Sequence, residues 1–75
     1  MTLRNRLVVE QDGHQTVSAM LLSTDEIPDM LNLEARMHTA TGWHVEQHGA
    51  MLRFTKGDAI RWVWVRSKPP LEDTL

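Results

Sequence analysis

The 75-residue chain holds no cysteine and has a formal net charge of -2, from eight Lys or Arg against ten Asp or Glu. These figures allow one small domain, exclude disulfides and cysteine-based zinc sites, and argue against a protein devoted to the phosphate backbone of nucleic acid. No window approaches a transmembrane span, and Leu7-Val8-Val9 before Glu10 is too short for the apolar core of a signal peptide, so the expected setting is the cytoplasm, away from membranes.

The chain opens with two apolar runs, Leu3 to Gln11 and Gln15 to Leu22, around Asp12-Gly13, a strong hairpin dipeptide. A strict two-residue turn pairs Val8 with Val17 but scatters apolar residues over both faces. A three-residue loop instead unites Leu3, Leu7, Val9, Val17, Ala19 and Leu21, leaving Arg4, Arg6, Val8, Glu10, Thr16, Ser18, Met20 and Leu22 on the reverse side. The second register is expected, because segregation of faces specifies register strongly.

Ser23-Thr24-Asp25-Glu26 has the form of a capping box, with Leu22 and Ile27 able to supply a staple. Pro28 is harmless only in the first turn, which sets the start of the continuous helix near Asp25 or Ile27. Its apolar stripe is Ile27, Met30, Leu31, Leu33, Met37 and Ala40, with Asp29, Asn32, Arg36 and Thr39 on the wet side. Gly42 supplies the left-handed stop, and Trp43 just beyond it is placed to pack back on the last turn.

From Trp43 to Arg66 three strands follow, carrying all four aromatic residues. A two-residue turn at His48-Gly49 sets Val45 against Leu52 and Trp43 against Phe54, with His44 and Glu46 on the other face against Arg53 and Met51. For the second turn, a three-residue loop with Gly57 left-handed gathers Leu52, Phe54, Ile60, Trp62 and Trp64 on one side. A two-residue loop at Gly57-Asp58 inverts that arrangement. The first option is expected because it collects Trp43, Phe54, Trp62 and Trp64 into one core, and it leaves Arg53, Arg61, Val63 and Val65 opposite. After Arg66 a Pro pair and the loss of periodicity predict an extended or disordered tail over 67–75, with the domain itself over 1–66.

The expected fold is α+β in the order ββαβββ, a five-stranded antiparallel sheet with one helix packed on one face. Spatial orders 2-1-3-4-5 and 2-1-5-4-3 are both compatible with it.

Chemistry is sparse. His44, Glu46 and His48 share a strand face, but the two histidines lie about 13 Å apart there, against the roughly 4 Å that two ligands of one ion span, so a solvated face is the simpler reading. No nucleophile elbow, Ser-x-x-Lys or His-Glu-x-x-His pattern appears, and no enzyme activity, metal or cofactor is expected. The aromatic set could serve as a base-stacking platform only if it faced solvent, and the register above places it in the core instead. The expected interaction surface is the sheet face without a helix, formed by Arg4, Arg6, Met20, Met51, Arg53, Arg61, Val63 and Val65. The sequence reading is therefore a non-enzymatic protein-binding or inhibitory accessory module, of the kind phages and bacteria encode, acting as a homodimer. The alternative is a weak nucleic-acid binder using the arginines of that face.

Overall fold

The computed structural model describes residues 2–74; Met1 and Leu75, the outer limits of the expected domain and tail, lie outside the described residues. In chain order come β1 (Arg4–Gln11), β2 (His14–Val17), a 3-10 turn (Thr24–Glu26) running into α1 (Ile27–Ala40), then β3 (His44–His48), β4 (Met51–Lys56) and β5 (Ala59–Lys68). The five strands form one antiparallel sheet in the order β2-β1-β5-β4-β3, with α1 on one face. This is the expected ββαβββ fold, and it adopts the second of the two compatible strand orders.

All three hairpins close with two-residue turns, and this decides which side chains meet the helix. At Asp12-Gly13 both residues take positive φ (54° and 78°), as a type I′ turn requires, and Val8 pairs with Val17. The three-residue loop expected there is thus overturned. The reason is that β2 ends at Val17: residues 18–21 leave the ladder before Leu22 rejoins it opposite Asn5, so Ala19 and Leu21 belong to no strand face.

Between β3 and β4 the turn residues are Gly49 (φ 62°) and Ala50, with His48 opposite Met51 and Val45 opposite Phe54. The register is shifted by two residues from the expected one, which changes partners but keeps every side chain on its expected face.

Between β4 and β5 the turn is Gly57-Asp58, with Lys56 opposite Ala59 and Leu52 opposite Val63. The expected three-residue loop placed β5 the other way up. Arg61, Val63 and Val65 therefore lie on the helix side, and Ile60, Trp62 and Trp64 lie on the side away from the helix.

The core forms where β4 and β5 meet the helix. Phe54 and Val63 are fully buried (0% exposed) beside Leu52, and Leu7, Val9, Leu31, Ala35, Trp43 and Val45 pack against them. Burial of each such side chain contributes roughly 1.5–3 kcal/mol, so removing Val63 from the surface is a large fraction of what a domain of this size has. Of the four aromatics expected in the core, only Trp43 and Phe54 are there.

The helix starts and stops as its sequence dictates. Ser23 and Glu26 form the capping box, with the Ser23 amide donating to Glu26 Oε1 at 2.9 Å, and that bond lowers the Glu26 pKa. Pro28 falls in the first turn, where its missing amide costs nothing. At the other end Gly42 (φ 91°) allows its own amide to reach the Thr39 carbonyl and the Trp43 amide to reach the His38 carbonyl, the paired bonds of a Schellman motif. The face turned to the sheet is Leu31, Ala35 and His38, whereas Leu33 and Met37, counted in the expected stripe, are exposed.

The chain after β5 departs from the expected extended or disordered tail. β5 continues two residues beyond Arg66, a turn follows in which the Glu72 amide donates to the Pro69 carbonyl, and Asp73 comes back against Arg6 and Arg66.

Candidate functional site: the open sheet face

Among the described residues no helix or strand covers the side of the sheet away from α1; only its β1–β5 end, where Val8 and Arg6 are buried, is covered by the tail turn that brings Asp73 back, and the composition of the face follows from the three turns. Across its middle, Glu10, Trp62, Arg53 and Glu46 stand in one cross-strand row over β1, β5, β4 and β3. The next row holds Val17, Val8 and Trp64, and beyond it Arg6 stands directly opposite Arg66. Trp62 and Trp64 are half-buried, so part of each indole meets solvent.

Trp62 is held by its neighbours rather than by the core. The Arg53 guanidinium lies 6.0 Å from its ring centroid, and His48 meets it edge-on at 5.4 Å. Arg53 is in turn fixed by Glu46, whose Oε2 accepts from Arg53 Nη1 at 3.2 Å and bonds His48 Nε2 at 3.1 Å. The hydrogen bond from His48, followed by that from Arg53, holds the Glu46 carboxyl below the usual range against the opposing effect of desolvation. In the His44, Glu46, His48 row, Glu46 is therefore ion-paired with Arg53 and hydrogen-bonded with His48, and His44 Nε2 lies 3.6 Å from it. Among the described residues no group of three His, Cys, Asp or Glu is placed to hold a metal ion.

At the β1 end lies a second, more enclosed cluster. Arg6 is only 7% exposed; its Nη1 donates to the carbonyls of Ser18 and Ala19 at 3.2 and 2.8 Å, and its Nε donates to both oxygens of Asp73 at 2.9 and 2.7 Å. Arg66 Nη2 donates to Asp73 Oδ1 at 2.6 Å. Burial pushes the Asp73 carboxyl up, but the hydrogen bonds and charges of Arg6 and Arg66 outweigh it and hold the pKa below its ordinary value.

Of the residues expected to form the interaction surface, Arg4, Arg6, Met51 and Arg53 do share the open face. Met20 does not: it sits at 65% exposure in the loop that leaves the sheet after β2. Arg61, Val63 and Val65 are corrections, placed on the helix side of the sheet by the Gly57-Asp58 turn. Val63 is core. Arg61 stacks over the Trp43 ring at 4.5 Å, donates to Gln11 Oε1 at 3.0 and 2.8 Å, and donates through Nη1 to His38 Nε2 at 2.9 Å.

His38 is the structural residue that the sequence reading missed. Its ring stacks on Phe54 with centroids 3.8 Å apart. Since Arg61 can only donate, His38 Nε2 accepts and Nδ1 is left to donate to the Glu34 carbonyl at 2.8 Å, which fixes one neutral tautomer. The signal was present in the spacing Leu31, Ala35, His38, which is that of a helix face.

No family model, no curated protein and no solved structure matches this chain. No helix among the described residues is long and apolar enough to cross a membrane.

Proposed function

We propose that the chain is a non-enzymatic protein-binding module, of an accessory or inhibitory kind, that docks a partner protein on the open sheet face with Trp62 and Trp64 as its anchors. The observation that carries this reading is the placement of both indoles on the helix-free face, half-exposed, with Arg53 directly opposite Trp62 and Met51 on the same face of β4. Trp, Met and Arg are the residue types most enriched in the centres of protein interfaces, and a Trp steadied by neighbours loses little freedom when a partner covers it.

The charges of the face favour a protein over nucleic acid. Arg53 is engaged by Glu46, and Arg6 and Arg66 by Asp73, which leaves Arg4 and Lys68 as the cations of this face with no ion pair among the described residues. Two free cations support only weak, salt-sensitive attachment to phosphates. The partner that fits is a protein surface offering an apolar centre to the indoles and carboxylates to Arg4 and Lys68 at the edge of the face. A second copy of the chain meets that description in part, through Glu10, which is in no ion pair among the described residues.

The test is Trp62→Ala, which is expected to keep the fold by circular dichroism because the indole is only half-buried. A protein captured by the wild-type chain from its host, then purified and titrated back, is expected to lose at least tenfold in affinity to the variant; if self-association is the mode, light scattering shows a dimer that the variant lacks. A folded variant that binds the same purified partner unchanged, or a gel shift on single-stranded DNA or RNA that resists physiological salt, overturns the reading.

A further inference from the structure

We propose that Arg6 and Arg66 form a binding clamp for a phosphorylated residue of a partner peptide, a site that Asp73 of the chain's own tail occupies as a stand-in. The inference rests on the reading of this face as a protein-docking surface and names one chemical group that the partner presents.

Three observations carry it. Arg6 and Arg66 are direct cross-strand partners, and like charges placed opposite each other on neighbouring strands repel unless an anion lies between them. Sheet packing alone gives no reason to set two arginines there. Second, Arg6 is positioned independently of the anion: the carbonyls of Ser18 and Ala19 hold its Nη1, so the fork stays aimed when the carboxylate leaves. Third, the carboxylate does not saturate the clamp. Asp73 Oδ1 already accepts from Arg6 Nε and Arg66 Nη2, and Oδ2 accepts from Arg6 Nε, while Arg66 Nε is buried with no partner among the described residues.

A buried, unpaired guanidinium N–H is a costly feature, and a ligand with a third oxygen removes that cost. A phosphate monoester has that oxygen and close to two negative charges, which matches two arginines better than one carboxylate does. That the bound group is carried on a peptide follows from the tail itself. Pro69 to Asp73 shows that a turn of polypeptide can seat on this face with an acidic side chain in the clamp, and Asp is the shorter, singly charged analogue of phosphoserine. The tail then sets a threshold, because an incoming ligand must displace it and its apparent affinity falls by the fraction of molecules in which the clamp is open.

The experiment uses the full chain with Asp73→Ala. Inorganic phosphate is expected to raise its melting temperature in a saturable way and to shift its indole fluorescence, Trp64 lying two residues from Arg66 on the same face, with acetate and chloride at matched ionic strength far weaker. The wild type should respond at least tenfold more weakly, and Asp73→Ala with Arg66→Ala not at all. A synthetic peptide of the tail sequence bearing phosphoserine at the Asp73 position should bind Asp73→Ala at least tenfold tighter than the Asp peptide and tighter than a short oligothymidylate. Equal responses to acetate and phosphate, a response that survives loss of Arg66, or tighter binding of the oligonucleotide overturns the proposal. Should Asp73→Ala be unfolded, recovery of structure in phosphate supports the clamp and no recovery shows Asp73 to be a structural staple only. Trp62→Ala, placed in the same background, should leave the phosphate response unchanged, so failure of the clamp and failure of the Trp-centred docking surface are read separately.

Discussion

Val63 and Trp62 are neighbours in sequence on opposite faces of β5, so introducing Glu at each in turn tests the Gly57-Asp58 turn directly. Val63 is 0% exposed between Val9 and Leu52. A carboxylate there loses roughly 1.5–3 kcal/mol of apolar burial and adds an effective desolvation penalty of several kcal/mol, or neutralises itself by taking up a proton at similar expense. A domain of this length has about 4–11 kcal/mol in total, so Val63→Glu is expected to unfold the chain. At Trp62 the same carboxylate reaches solvent between Arg53 and Glu10, and the loss is that of a half-buried indole, about 1–3 kcal/mol, with roughly 0.2–1 kcal/mol more from repulsion by Glu10, which Arg53 on the other side offsets. Trp62→Glu should therefore remain folded with a lower midpoint. Urea titration followed by far-ultraviolet circular dichroism reads both variants. If Val63→Glu folds and Trp62→Glu does not, β5 is the other way up, the turn has three residues, and every assignment to the open face fails with it.

Acid should weaken the fold through its bonded carboxylates: Asp73 and Glu46, paired with arginines, and Glu26, hydrogen-bonded to Ser23, have pKa values below their ordinary ones, so their stabilisation is complete above the unfolded-state carboxylate range and is lost as the pH falls through about 4 and below. Urea midpoints measured from pH 7 to pH 3 should fall more gently for Asp73→Asn than for the wild type, and parallel curves would show that Asp73 contributes nothing. Gly57→Ala should cost about 1–2 kcal/mol from backbone strain alone, since Gly57 sits at φ 59° with open space where a Cβ would stand, and an unchanged midpoint would contradict that turn geometry.

The elements of the fold were legible because their signals are local. Asp12-Gly13, the Ser23 to Glu26 box, Pro28 in the first turn and Gly42 each act through their own neighbours, and the structure uses each as its chemistry suggests. The faces were legible only in part, because they depend on counting residues through a turn, and one residue more or less inverts a whole strand. For β4 and β5 the hydrophobic pattern could not arbitrate. β5 lies in the middle of the sheet and is apolar on both sides, so the heavier set, Ile60, Trp62 and Trp64, outweighed Val63 and Val65 in a reading based on bulk. In the first hairpin, the argument from segregated faces gave weight to Ala19 and Leu21, which are not in a strand, and the turn preference of Asp-Gly was the sounder guide. The clamp was hidden for another reason: it joins Arg6 to Arg66 and Asp73 across nearly the whole length of the chain, and no local pattern announces such a meeting.

The central position of β5 also dictates an order of events during folding. β1 with β2, and β3 with β4, are hairpins that can close locally, yet neither has a lasting partner until β5, which is made last, fits between β1 and β4. The pairing of β1 with β5 spans most of the sequence and carries the loop-closure entropy of that span, so it is the slow, late contact. On the ribosome, the earlier strands must therefore wait with unpaired edges, and the sheet can close only once β5 has emerged from the exit tunnel.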